Sequence, residues 1–241
     1  ETGRSHPDSR DGPIAAQTWY VYEQLRQLLA TNGLALADTV LATVYLADLR
    51  DLAVFHRVHR HVFGDALPAL CVSGFDEVGH RGTRIEIELT VLDPRAGLQA
   101  KRTAWPGVAP LAGPAAVEVG QILFMSGIAG LDERGRLAEP AAEMPNPPGA
   151  EGPSGRRVAA QSRAALLRLA EVLRAAGLGF QELAKMTLYL RRETDLPVFE
   201  AVRQEVMGDR TLPAFECVCV QGPGPVPESE MQLEAIAVRE R

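Results

Sequence analysis

The chain states one pattern twice, and this repetition limits its fold more than any other feature. Residues 17–93 and 161–239 run in parallel. Gln17 answers to Gln161, Gly33 to Gly177, and Thr43-Val44-Tyr45-Leu46 to Thr187-Leu188-Tyr189-Leu190, each 144 positions apart. Pro68-Ala69 answers to Pro213-Ala214 at 145 positions, and Glu88 to Glu234 at 146. Solenoid units recur every roughly 20–50 residues. A period this long means two copies of one domain, so a site in one copy has a counterpart, intact or decayed, in the other.

Each copy opens with a helix. Val21, Leu25, Leu28 and Leu29 form one apolar face, repeated by Ala165, Leu169, Val172 and Leu173. Asn32-Gly33 and Ala176-Gly177 end these helices, with glycine where a left-handed residue is wanted. The spacing then predicts a strand (39–46; 184–190), a second helix (51–63; 195–207) closed by Gly64-Asp65 or Gly208-Asp209, and two more strands (69–75 and 84–92; 214–220 and 231–238). Only the second copy is preceded by a hairpin, residues 117–119 and 122–126 around Gly120, and by a Pro/Gly/Glu-rich segment, 132–155. The equivalent hairpin of copy one would precede Glu1, and Glu1-Thr2-Gly3-Arg4 resembles Glu133-Arg134-Gly135-Arg136. The expected division is 1–98 for copy one, lacking its hairpin, and 99–241 for a complete copy two. Either the natural chain is longer or another chain supplies those strands, because a bare sheet edge invites pairing.

Composition narrows the function. A formal net charge of −6 over 241 residues, with no basic stripe, argues against nucleic acid as the main partner. No apolar run reaches the ~18–20 residues of a membrane span and no signal peptide is visible, so no membrane partner is expected. Three cysteines, Cys71, Cys217 and Cys219, make neither a disulfide framework nor a zinc signature, which points to a reducing cytoplasm. His56, His59 and His61 lack an obvious carboxylate co-ligand and read as solvent-facing, so no metal and no cofactor is expected. There is no glycine-rich phosphate loop and no Gly-x-Ser-x-Gly elbow.

The order of elements, with Gly113-Pro114, Phe124-Met125-Ser126-Gly127, Ala159-Ala160-Gln161, Lys185-Met186-Thr187-Leu188-Tyr189-Leu190, Leu212-Pro213-Ala214 and Leu233-Glu234-Ala235-Ile236-Ala237-Val238, resembles the RidA/YjgF family. Copy one carries the same signatures as Ala15-Ala16-Gln17-Thr18, Ala42-Thr43-Val44-Tyr45-Leu46, Phe63-Gly64-Asp65, Leu67-Pro68-Ala69 and Ile87-Glu88. The resemblance implies an α+β fold, tandem chorismate-mutase-like domains with two helices on one face of each mixed sheet. It also implies a homo-oligomer built on threes, with small-molecule sites in the clefts between domains. It further implies hydrolysis of enamines and imines, using an arginine after the Pro-Ala pair, a glutamate on the last strand and amides near the Ser-Gly turn.

The chain departs from that pattern at the arginine, which is Leu70 in copy one and Phe215 in copy two. Neither can form the bidentate pair that grips a carboxylate. An amino-acid-derived imine is therefore a poor substrate, unless a distant Arg or Lys enters the pocket beside Glu234. Glu234 and Glu88 remain as catalytic candidates. Ser126, Gly127, Phe215, Glu200, Cys217, Leu70 and His56 are the substrate-binding candidates, with Phe215 lining an apolar cleft, Ser126-Gly127 amides holding the polar end, and His56 and Glu200 at a position where relatives carry asparagine. Each has a plain structural reading: an exposed strand carboxylate, a Ser-Gly turn, a buried thiol. Two functions follow: a hydrolytic deaminase for a carboxylate-free enamine, imine or tautomer, or a non-catalytic binding or scaffolding module, the tail of a longer enzyme included.

Overall fold

The structure, a computed structural model, describes residues 13–79, 81–105, 113–141, 148, 152–208 and 213–239. The correspondence of Glu1-Thr2-Gly3-Arg4 with residues 133–136, and the positions Asp209 and Leu212, lie outside the described residues on one side or both. Copy one comprises α1 (Pro13–Thr31), β1 (Thr39–Leu46), α2 (Leu52–Phe63), β2 (Ala69–Gly74) and β3 (Ile85–Val91). β4 (Ala100–Thr103), β5 (Ala116–Val119), β6 (Ile122–Met125) and β7 (Ile128–Ala129) follow. Then come α3 (Gly152–Ala175), β8 (Leu183–Leu190), α4 (Leu196–Met207), β9 (Ala214–Cys219) and β10 (Met231–Val238). The short strands β4 and β7 have no strong sequence signal and were not anticipated.

The repeat is a structural repeat. α1 and α3 end in the same way: Gly33 and Gly177 take φ of 72° and 71°, and Leu34 and Leu178 donate back to the carbonyls of Leu29 and Leu173. This is the left-handed helix stop that glycine permits. Gln17 and Gln161 recur because each pins the entry of a strand. Their side-chain carbonyls accept from the backbone N–H of Arg84 and of Glu230, both at 2.8 Å.

Copy one forms a sheet ordered β2-β1-β3, with β1 parallel to β2 and antiparallel to β3. Copy two repeats this as β9-β8-β10 and extends it through β6, β5 and β4, with β7 also on β10. Registers match across the repeat: Thr43 pairs with Glu88 and Cys71, and Thr187 with Glu234 and Glu216.

Strand side chains alternate between faces. Ala42, Val44, Leu46, Leu70, Val72, Ile85 and Ile87 pack with Phe55, Val58 and Tyr22 as the core of copy one. Met186, Leu188, Leu190, Leu233 and Ala235 do the same with Leu166, Leu169, Phe199 and Val202 in copy two. The α1 face is rotated from its expected position. Ile14, Ala15, Thr18 and Tyr22 are buried, whereas Leu28 is 60% exposed.

The copies are joined along β2. Leu70 N–H donates to Ser126 Oγ at 2.9 Å, and Gly127 N–H donates to the Leu70 carbonyl at 3.0 Å. Gly74 and Gly222 exchange backbone bonds of 2.8 and 3.2 Å. Gln232 Nε2 donates to the Val72 carbonyl at 3.1 Å. β2 is consequently buried along all its residues, while its counterpart β9 alternates half-buried and exposed. No helix among the described residues is long and apolar enough to cross a membrane.

Candidate functional site

The faces of the two sheets that point away from the helices meet, and between them lies a cleft of about 510 Å³. β1 contributes Thr43 and Tyr45, β3 contributes Glu86 and Glu88, and the segment after β2 contributes Phe75, Glu77 and Val78. Copy two answers with Lys185, Thr187 and Tyr189 of β8, Glu216 and Val218 of β9, and Glu234 of β10. Pseudo-equivalent pairs therefore face one another: Thr43 with Thr187, Tyr45 with Tyr189, Glu88 with Glu234.

The two glutamates differ in environment although their registers match. Glu88 is exposed, and Glu234 is buried at 7% exposure. Burial holds the Glu234 carboxyl above its ordinary range, and Glu88 pushes the same way. Bonds from Cys71 and Thr43 and the charge of Lys185 oppose the shift. Thr43 Oγ1 reaches Glu234 Oε2 only at 3.5 Å, a marginal contact. Cys71 stands beside Glu234, fully buried, and burial followed by the Glu234 charge pushes its thiol up. It is no nucleophile, because the thiolate is the reactive form. Tyr45 and Tyr189 share a side-chain hydrogen bond, and burial raises both phenols. Both stay protonated and act as donors.

One distant cation does enter. Lys185 lines the cleft, but its ammonium stands 3.5 Å from Glu216 Oε2 and not within ion-pair distance of Glu234. Lys185 thus brings an ammonium into the cleft but places it on Glu216 rather than beside Glu234. The cleft holds Glu77, Glu86, Glu88, Glu216 and Glu234 against this single lysine.

Of the residues singled out in the sequence, the cleft gathers Glu234 and Glu88 and none of the others. Leu70 is 1% exposed in the core of copy one, on the opposite face of β2. Phe215 does not line the cleft; it stacks on Phe199 at a centroid distance of 6.1 Å, on the helix side of β9. The apolar wall is Phe75, Val78 and Val218 instead. Cys217 is half-buried on the Phe215 side, and its thiol is pushed up to about 11 by burial, then by Cys219, Glu193 and Glu200. Glu200 pairs with Arg203 at 2.8 Å on α4.

Ser126 and Gly127 hold the copies together. The Ser126 hydroxyl binds Leu70 N–H and donates to the Pro114 carbonyl at 2.7 Å, and both amides already donate within the protein. They leave no donor for a ligand. His56 is half-buried on α2, with its ring lowered to about 4 by burial and then Arg60. His59, expected in solvent, is fully buried and accepts or shares a 2.6 Å bond with the Tyr22 hydroxyl. No group of three metal-ligating side chains occurs among the described residues.

The family model described as Endoribonuclease L-PSP matches residues 5–92 and again 109–239. The chain belongs to this family, RidA/YjgF, and carries it twice. A RutC family protein of Pyrococcus abyssi is 41% identical over 58 residues, covering 24% of this chain and 46% of that relative. Protein DfrA of Myxococcus xanthus is 34% identical over 77 residues, covering 32% and 58%. The chain thus spans about half the length of the curated relatives it matches. Among solved structures, the YjgF gene product of E. coli is 25% identical with a TM-score of 0.44, covering 58% of this chain and 99% of its own. RidA from a Psychrobacter species is 20% identical with a TM-score of 0.44, covering 58% and 98%. The resemblance read from the motifs and the α+β class both hold for this RidA/YjgF chain. Its cleft residues Thr43, Tyr45, Lys185, Thr187, Tyr189, Glu86 and Glu216 were missed in the sequence. Their signal was the period of two that runs from Glu88 and Glu234 across neighbouring strands.

Proposed function

We propose that the chain hydrolyses a small enamine, imine or related tautomer in the cleft between its two copies, with Glu234 as the proton carrier. The observation that carries this reading is a buried carboxyl, held toward its neutral form, on the wall of an open cleft. A neutral carboxyl donates its proton to the β-carbon of an enamine, giving an iminium. The resulting carboxylate takes a proton from the water that adds to the iminium carbon. The carbinolamine then collapses: its hydroxyl proton passes to nitrogen, the C–N bond breaks, and a carbonyl compound and ammonia leave. The Tyr45 and Tyr189 phenols, kept protonated, offer donors for the nitrogen or the water.

The same proposal places the chain in a homo-oligomer built on threes. β9 leaves exposed the surface that β2 buries against copy two. A reducing cytoplasm suits its thiols, since Cys71, Cys217 and Cys219 are all free. The rival reading is a binding module without chemistry, and the absence of an arginine at Leu70 and Phe215 favours it.

The test is ammonia release from a panel of enamines. Glu234→Gln is expected to lower kcat/KM about a hundredfold, the low end for a positioned acid–base group. Rates equal to wild type would remove Glu234 from the reaction, and no release by either protein would leave the binding module.

A further inference from the structure

We infer that the cleft selects an organic cation without a carboxylate, an ammonium or iminium, an inference that rests on the cleft named above and adds the charge of its ligand. Glu77, Glu86, Glu88, Glu216 and Glu234 line it, against the one ammonium of Lys185. That ammonium is already engaged, 3.5 Å from Glu216. An incoming carboxylate therefore meets a surplus of like charge, whereas a cation is attracted by several groups at once.

A second observation points the same way. Glu234 is more than nine-tenths buried, lines the cleft, and has no Arg, Lys or His of the described residues within 4.0 Å of its carboxylate. A buried carboxylate without a counter-ion is costly, and a bound cation would supply what the protein withholds. The third is aromatic. Phe75, Tyr45 and Tyr189 line the same cleft, with Tyr45 and Phe75 edge-to-face at 5.0 Å. Aromatic faces beside carboxylates bind organic cations through the ring quadrupole and reject neutral isosteres. An iminium formed by protonating an enamine is such a cation, so one charge pattern would serve both binding and the reactive intermediate.

Calorimetric titration with three probes tests this: pyrrolidinium, its neutral ring analogue tetrahydrofuran, and its carboxylated analogue proline. Pyrrolidinium is expected to bind about tenfold or more tighter than either, a margin of the size one desolvated cation–aromatic contact provides. Its affinity should fall at high salt and fall again in Glu86→Gln/Glu88→Gln, whose substituted side chains are exposed and leave the cores intact. Tetrahydrofuran or proline binding as tightly as pyrrolidinium would overturn the inference, and so would an absence of pyrrolidinium binding. Pyrrolidinium binding together with no ammonia release from any enamine would uphold the cation site and overturn only the hydrolase reading. Release confined to carboxylate-bearing imines, without pyrrolidinium binding, would do the reverse.

Discussion

Leu70→Arg, which puts an arginine directly after the Pro68-Ala69 pair, is expected to destabilise the protein by about 3–5 kcal/mol, the usual cost of an uncompensated buried charge. Leu70 is 1% exposed and sits among Ala42, Val44, Phe55, Val72 and Ile87, none of which can accept a hydrogen bond from a guanidinium through its side chain. Its backbone is held on both sides, N–H by Ser126 Oγ and carbonyl by Gly127 N–H, so the strand cannot roll to bring the new side chain to water. Phe215→Arg is the internal control. Phe215 is half-buried beside Phe199 on the more open β9, and an arginine there can extend its head into solvent. The prediction is read from urea midpoints: a large fall for Leu70→Arg and a small one for Phe215→Arg. A Leu70→Arg protein with the wild-type midpoint would mean that the two faces of β2 have been misassigned.

The second large effect is acid sensitivity from His59. Burial, followed by the nearby His56 and Arg60, lowers its ring to about 3, against an unfolded value of ~6.5. The native state keeps the ring neutral, so below about pH 6.5 only the unfolded chain gains a proton. The stabilisation is therefore complete above that pH and is lost progressively down to about pH 3. The total loss is on the order of 5 kcal/mol. The Tyr22 hydroxyl, 2.6 Å from Nδ1, is raised by burial and stays protonated, so it donates to an unprotonated Nδ1. Tyr22→Phe/His59→Leu removes both partners of that bond and keeps the volume close. Its stability should fall less steeply than wild type between pH 6.5 and 4. Parallel curves would place the acid-sensitive group elsewhere.

The repeat made the fold legible. Two copies of one pattern of apolar periods and glycine stops fix helices and strands with twice the usual information, and α2, α4 and all three strands of each repeat fall where the spacing predicts. Leu28 shows where a helical face read from one copy drifts: Tyr22 takes the buried place, four residues from Thr18, and Leu28 turns to solvent. His59 was readable in principle, since Phe55, His59 and Phe63 stand four apart on one stripe, and all three are buried. A histidine between two phenylalanines at that spacing belongs to the core.

The site was half legible. Glu88 and Glu234 stood out only through the RidA/YjgF resemblance, which puts a glutamate on the last strand; the alternation by itself reads them as exposed strand carboxylates. The sequence does not show which faces of two sheets meet, and Leu70 and Phe215 lie on the helix side of their strands, away from Glu234. Their neighbourhood in a motif does not survive the alternation of β2 and β9, which sends adjacent residues to opposite faces. Ser126 and Gly127 were misread for a related reason. A turn rich in donors looks like a ligand cradle until the copy-one strand that occupies it is in place.

The proposed cation site puts a positive charge beside the buried Glu234 carboxyl, and the titration of that carboxyl reports it. Site-resolved carbon-13 NMR of that carboxyl, assigned with Glu234→Gln, measures this directly across a pH titration. The expected midpoint lies above the ordinary glutamate value and falls when pyrrolidinium is added, because a neighbouring positive charge favours the ionised form. A midpoint at or below the ordinary value, unmoved by the amine, would contradict it.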